Sequence, residues 1–226
     1  LGKERMETMI SGGDVTVTYP LFQEENGGST PTSPLQFYVS KIVHETAKNF
    51  VERWHYSGRI PTGKNYCFGL FTSKDLSGKL YAVIVYGIGV NPYQASFLGV
   101  ENIIEIKRMC RTEPPLKFPL SRFIRLTSKM VSKEFDFDCI VAFADPDQGH
   151  EGTVYKASGF ILHGTTNQEI HLLDENGNKR HRRVAYRHAK RNNQTIQQSR
   201  IDLRMERVKT AAKYRWIRFA RRRKNG

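Results

Sequence analysis

The chain has 226 residues, with 36 Lys and Arg against 22 Asp and Glu and a net charge of +14. That length buries one sizeable core with appendages, and the charge attracts polyanions, a solvated basic face and tail being the alternative reading. No run of about eighteen apolar residues occurs, and the first thirty residues lack the basic-then-apolar order of a signal peptide, so the chain is expected to be soluble and intracellular, with no membrane partner.

Residues 1 to 14 read as a flexible lead, "VTVTYPLF" (15 to 22) as a short strand and "QEENGGSTPTSP" (23 to 34) as a Gly/Ser/Pro loop. From Leu35, apolar residues at Val39, Ile42, Val43, Ala47, Phe50, Val51 and Trp54 recur at helical spacing, and Ser33–Pro34 is placed to start a helix that ends at His55. "YCFGLFT" and "LYAVIVYGIGV" form a hairpin whose second strand is apolar on both faces and therefore central. "NIIEIKRMCR" is a further strand, "TEPPLKFPL" a loop, and Ser121 opens a second helix marked by Phe123, Ile124, Thr127, Met130 and Val131. "DCIVAFADP" is a buried strand and "HEGTVYKASGF" a short helix. "ILHGTTNQEIHLLD", "NGNKRHRRVAYRH" and "AAKYRWIRFA" read as later strands.

This order gives an α/β (α+β) fold, a mixed central sheet with helices on both faces, and excludes a helical bundle and a sandwich. It is also the order of the GNAT acyltransferase fold. The expected division is 1–34 as lead and short strand, 35–191 as a GNAT-like catalytic domain and 192–226 as a basic segment with a closing strand and tail. Cys67, Cys110 and Cys139 are widely spaced in apolar stretches, with no CxxC pair, and read as reduced, buried thiols. Eighteen of the basic residues lie between Lys179 and Lys224, opposed there by Asp202 and Glu206 alone, which points to a nucleic-acid contact surface.

In open α/β sheets ligands collect beyond the carboxyl ends of the strands. Arg108 near one strand end, Ser121 at a helix start and Asp145 at the next strand end are expected on that edge. Ser121 reads as a helix N-cap beside backbone N–H groups that suit a phosphate or carboxylate. "TEPPLKFPLS" stands where a GNAT coenzyme A loop would run, so no such cradle is recognisable and an acyl or aminoacyl donor is left unassigned. In "DPDQGHEGTVY", Asp145 is a candidate base or metal ligand, with Tyr155 further along the helix and His150 as a cap. "RWHYSGRIPTGKNYCFGLF" sets His55 beside Tyr56. Together with a carboxylate they suit a hard or borderline metal such as iron, and core packing of both rings is the alternative.

"RWHYSGRIPTGKNYCFGLF", "EIKRMCR" followed by "LSRFI", "FADPDQGHEGTVYKASGF" and "KYRWIRF" together resemble the Mom family of bacteriophage DNA-modification proteins, in order and spacing. The resemblance implies a GNAT-like fold and hypermodification of the exocyclic amine of adenine in double-stranded DNA. Such a change shields phage DNA from restriction in the cytoplasm of the infected host. It carries a possible iron site onto His55, Tyr56 and Asp145, functional roles onto Arg108, Ser121 and Tyr155, and donor binding onto Ser121 and Arg122. The target amine lies inside a base pair, so the base must be flipped, with Tyr56, Trp54 or Tyr155 to stack on it. Arg59, Lys179, Arg180, Arg182, Arg183, Arg187, Lys190, Arg191, Arg221, Arg222 and Arg223 are the expected DNA contacts. Two other readings stay open: a GNAT acyltransferase acting on a protein, tRNA or small amine, and a non-enzymatic DNA-binding protein.

Overall fold

The computed structural model describes residues 9–11, 14–16, 33–76, 78–89, 91, 93–112, 119–180 and 183–220. By internal contacts the chain forms two compact units, the first comprising Leu1–Ala142, Thr153–Ile161 and Trp216–Gly226, the second Phe143–Gly152 and Leu162–Arg215. Strands β1 (Met9–Ser11) and β2 (Asp14–Thr16) pair antiparallel, so part of the expected lead is a small hairpin. The rest of "VTVTYPLF" and most of the loop after it lie outside the described residues, as do Arg182, Arg221, Arg222 and Arg223.

The single helix expected from Leu35 to Trp54 is three elements. Ser33 caps only a 3-10 turn, Pro34–Gln36, with a reciprocal bond to Gln36. Strand β3 (Tyr38–Lys41) follows, then helix α1 (His44–Trp54). The spacing of Val39, Ile42 and Val43 fits a helix on paper. The unpaired edge of strand β4 (Asn65–Phe71) captures Tyr38–Lys41 instead, in a four-residue antiparallel ladder.

Strand β5 (Leu80–Gly87) completes the expected hairpin with β4 and is buried along nearly its whole length. Helix α2 (Gln94–Phe97) leads to β6 (Ile103–Arg111), which runs antiparallel to β5. Helix α3 (Pro119–Glu134) begins two residues before Ser121, so Ser121 lies inside its first turn and is not the N-cap. Proline fits that first position because its missing N–H has no intrahelical partner there. Strand β7 (Cys139–Ala144) is parallel to β6, and helix α4 (Thr153–Ala157) is the short helix expected.

Beyond it run β8 (Ile161–Thr165), β9 (Ile170–Leu173) and β10 (Lys179–Arg180). The strand expected over "RRVAYRH" is helix α5 (Arg183–Arg191), because Ala185 and Ala189 recur at the four-residue spacing of a buried helical seam. Helix α6 (Ile196–Asp202), strand β11 (Glu206–Lys209) and strand β12 (Tyr214–Phe219) complete the chain. The sheet order is β3-β4-β5-β6-β7-β12-β8, a mixed α/β arrangement as expected, and β10-β9-β11 forms a second sheet. The expected boundary at 191/192 falls in the turn between α5 and α6, inside the second unit.

The first unit builds its core on both faces of the sheet. On one face Phe50 and Val51 of α1 pack with Cys67, Val83, Val85 and Cys110. On the other, the fully buried Tyr86 hydroxyl meets Thr127 Oγ1 of α3 at 2.8 Å. Thr127 spends its own proton on the Phe123 carbonyl, so Tyr86 is the donor. Among the described residues no helix is long and apolar enough to cross a membrane.

Cys67, Cys110 and Cys139 are free and buried, as expected. Burial pushes Cys67 and Cys110 up from an ordinary value of 9.0 to about 12, and Tyr86 likewise from 10.0 to about 12. Below pH 9 both folded and unfolded states hold the thiol protons and their contribution is intact. Between 9 and about 12 the unfolded chain releases protons that the folded chain keeps, so stability falls as pH rises. At pH 10 each buried thiol should cost about 1 to 2 kcal/mol. The melting temperature should therefore drop between pH 8.5 and 10.5, more steeply than in a Cys67→Ala, Cys110→Ala variant, and a thiol reagent should label the folded chain only as it unfolds.

Candidate active site

Helix α1 ends at His55, whose N–H bonds the Val51 carbonyl at 2.9 Å. Gly58 then reverses the chain at φ +56°, with its N–H on the His55 carbonyl at 2.8 Å. The left-handed conformation is why a glycine stands there. The His55 ring is held at Nδ1 by the Ser57 N–H at 3.0 Å and lies 2.9 Å from Ser57 Oγ. It stacks on Tyr56 with ring centroids 4.3 Å apart, and Tyr56 is 57% exposed. A backbone N–H can only donate, so Nδ1 is an acceptor and the ring proton sits on Nε2.

That tautomer bears on the iron expectation. A metal at Nδ1 would displace the Ser57 N–H, and a metal at Nε2 would move the ring proton onto Nδ1 against the same N–H. The His55 ring as held does not fit a metal ligand, and the described residues contain no group of three or more His, Cys, Asp or Glu side chains able to hold an ion.

Opposite this loop lies the middle of β6. The pairing Val85↔Arg108 is followed by Tyr86↔Ile106 and Gly87↔Glu105, which leaves Lys107 as the extra residue of a β-bulge. Arg108 therefore sits mid-strand rather than at the expected strand end. Its Nε donates to the Arg59 carbonyl at 2.9 Å and its Nη1 to the Lys107 carbonyl. Burial pushes the guanidinium down from its ordinary value, while Tyr56 and Glu105 work against that effect and Arg59 adds to it.

Tyr155 is buried on α4, its ring tilted against Phe160 at 5.6 Å. Burial, reinforced by Tyr86, Tyr56 and Glu105, pushes its phenol far above the ordinary value, so it stays a protonated O–H donor. Buried this way, Tyr155 has no face open to a flipped base. Trp54 is committed to Phe50 and to Arg53, whose guanidinium lies 5.2 Å above it. Of these three rings Tyr56 is the exposed one.

The first unit therefore gathers Tyr56, Arg108 and Tyr155 with one carboxylate, Glu105, and one ammonium, Lys107, that the sequence reading passed over. The signal was present in "EIKRM": three ionisable residues in four positions of a strand flanked by apolar residues are more than one exposed face needs. Ser121 and Arg122, the residues expected at the donor, both also make contacts within the first unit. The Ser121 carbonyl accepts from Ser158 Oγ at 3.4 Å, and Arg122 Nη1 donates to the Phe37 carbonyl at 3.0 Å.

Asp145 belongs to the second unit. It caps the turn Pro146–Gln148, accepting the Asp147 N–H at 3.1 Å, and lies 3.6 Å from Lys213 Nζ. The His150 N–H bonds the Asp145 carbonyl at 3.1 Å, so His150 closes the same turn. Of the expected DNA contacts here, Arg180 is spent on Asp174 at 2.8 Å, whereas Arg183, Arg187, Lys190 and Arg191 stand exposed along α5.

Among solved structures, a spermidine N-acetyltransferase from Vibrio cholerae in complex with CoA and spermine overlays at a TM-score of 0.44 and 10% identity, over 82% of this chain and 96% of that one. An IAA acetyltransferase from Bacillus cereus gives 0.41 and 9%, over 81% and 99%. A curated relative, the methylcarbamoylase mom of Escherichia phage Mu, is 25% identical over 179 residues, 77% of this chain and 70% of its own length. The family model described as the Mom protein family matches residues 36–225, from the capped turn before β3 through the His55 loop, the β6 bulge and α5, and the chain belongs to that family.

Proposed function

We propose that this protein is a DNA-modifying transferase that places a methylcarbamoyl group on the exocyclic amine of adenine in double-stranded DNA. The observation that carries the reading is the family match over 36–225, with a relative named a methylcarbamoylase; the Tyr56, Glu105, Arg108 and Tyr155 cluster lies within the matched region.

The exocyclic amine of adenine is a weak nucleophile because its lone pair is delocalised into the ring. Flipping the base costs a few kcal/mol, and the exposed Tyr56 ring offers a face on which it stacks. Forming the new N–C bond requires the amine to lose a proton, and Glu105 is the carboxylate of the cluster suited to receive it. Arg108, the Nε2–H of His55 and the protonated Tyr155 are donors suited to negative charge developing on the incoming group or its leaving part. The donor is a small molecule carrying that group on a leaving part; the bond between them breaks as the N–C bond forms, and the leaving part departs with the electron pair and takes up a proton. Arg59 beside the site and the exposed arginines and lysine of α5 supply phosphate contacts, which position the duplex without reading its bases. A bulky substituent on the adenine amine alters the major-groove edge that restriction enzymes read, which accounts for protection of phage DNA.

Mass spectrometry of nucleosides from cells expressing the chain tests this directly: a modified deoxyadenosine is expected, and unaltered nucleosides under soluble expression overturn the reading. Glu105→Gln and Arg108→Ala should each lower the yield by about a hundredfold or more with the fold intact. Asp145→Asn separates capping from chemistry, because asparagine keeps the cap and removes the charge. If Asp145 takes part in the reaction the yield collapses at unchanged melting temperature, and if it only caps, the yield holds.

A second outcome concerns salt. Each phosphate contact contributes about −0.9 to the slope of log affinity against log salt. Replacing Arg187, Lys190 and Arg191 together by alanine should flatten that slope by roughly 2 to 3 in a fluorescence titration and weaken unrelated sequences equally.

A further inference from the structure

We propose that Lys107 is a positioning residue: admitted across Gly87, its ammonium joins Arg108 in latching the His55–Asn65 loop onto β6, and so holds His55 and Tyr56 in place for group transfer. The inference rests on the function proposed above and concerns a residue to which the family resemblance gives no role.

In a regular strand successive side chains alternate between faces. Glu105 is paired with Gly87 and Arg108 with Val85, and Gly87 and Val85 are two apart on β5, hence on the same face. That face is the one covered by α1, since Val85 packs with Phe50 and Val51. Glu105 and Arg108 are three apart on β6 and share a face only because Lys107 is inserted between them.

The inserted lysine is 7% exposed. Its Nζ reaches Asn65 Oδ1 at 3.2 Å and the Thr62 carbonyl at 3.4 Å. Asn65 passes the contact on, its Nδ2 donating to the Pro61 carbonyl at 3.1 Å. Arg108 meanwhile holds the Arg59 carbonyl at 2.9 Å. Two neighbouring cations from one bulge thus grip the loop at Arg59 and Thr62 and, through Asn65, at Pro61. Next to the first of these stands Ser57, the residue that fixes the His55 ring.

The passage for Lys107 is cut by glycine. A Cβ on Gly87 would lie 2.7 Å from Lys107 Cε and Nζ and 2.7 Å from the Lys64 carbonyl. Gly87 thus admits the ammonium and the loop backbone together. Burying an ammonium against neutral acceptors is a costly way to stabilise a fold, and burial lowers its proton affinity, with Glu105 opposing. An apolar residue would fill a bulge at less expense. One acceptor, Thr62, lies in the loop that carries Tyr56, and the other, Asn65, opens β4 and bonds back into that loop at Pro61.

The test uses the full chain and its Lys107→Met, Lys107→Arg and Gly87→Ala variants, read by amide hydrogen exchange, duplex affinity and the yield of modified deoxyadenosine in cells. In Lys107→Met, exchange over residues 57–64 should speed by about tenfold or more, with α1, β4 and β5 protected as before. The yield should fall by about a hundredfold, with duplex affinity weakened by no more than about the one phosphate contact of Arg59 and the Tyr56 stack on that loop. Lys107→Arg should restore most of the loop protection, and Gly87→Ala should reproduce the methionine variant. Unchanged exchange over 57–64 in Lys107→Met overturns the proposal, and so does protection lost evenly across the whole first unit, which would make the lysine a general support of the fold. If the parent chain modifies no DNA, the function proposed above fails, and the exchange measurements still decide whether the latch exists.

Discussion

One extra residue in β6 sets the geometry of the site. The strand lies at the centre of the sheet, with Ile104 and Ile106 buried, so its register cannot slip without exposing them. An insertion at Lys107 leaves the pairing intact on either side and changes which residues share a face beyond it. Arg108 and Cys110 thereby come to the α1 side, Cys110 into the core and Arg108 onto the loop that leaves α1. A bulge disrupts the ladder locally at an energetic cost. Lys107 and Arg108, adjacent in sequence, thereby both reach one loop while Glu105 and Arg108 share a face, an arrangement that a regular strand cannot give.

The electrostatics of that neighbourhood follow from burial more than from ion pairing. Arg108 and Lys107 donate to carbonyls and an amide, which are neutral, while Glu105 acts on both as a nearby negative charge that partly offsets their burial. Tyr155 stays protonated because its surroundings disfavour the phenolate. The cluster thus combines fixed donors with a single nearby carboxylate, Glu105, a composition suited to moving a proton and stabilising developing negative charge. The +14 charge of the chain is expressed differently in the second unit. There Asp174 organises a tight turn and absorbs Arg180, while α5 turns Ala185 and Ala189 inward and leaves its basic residues in solvent. A net charge of that size attracts polyanions at long range, and the proposed phosphate contacts draw on the exposed basic residues of α5.

Much of this was legible in the sequence for identifiable reasons. The β4–β5 hairpin, β6, β7 and α4 announce themselves because their apolar runs are long and bounded by turn residues. The family blocks pointed to Tyr56, Arg108 and Tyr155, which the first unit brings together. Where the sequence reading went astray, a competing partner decided. Tyr38–Lys41 became a strand because β4 had an open edge, and Arg183–Arg191 became a helix because its two alanines found a buried seam. Ser121 has the chemistry of a cap, but Pro119 starts the helix earlier.

Composition and local pattern alone determined that the protein is a mixed α/β chain with reduced buried thiols, a basic third and a polar aromatic turn after a helix. Those properties depend on residues near one another in sequence, so local periodicity reports them. The extra residue in β6, the tautomer of His55, the burial of Tyr155 and the passage of Lys107 across Gly87 were decided by tertiary structure. The bulge and the lysine's passage depend on the register between segments distant in sequence, Val85 against Arg108 and Gly87 against Asn65 and Glu105. The His55 tautomer follows from the turn that brings the Ser57 N–H onto its ring, and the burial of Tyr155 from packing. No spacing along the chain encodes a register that only the packed sheet fixes.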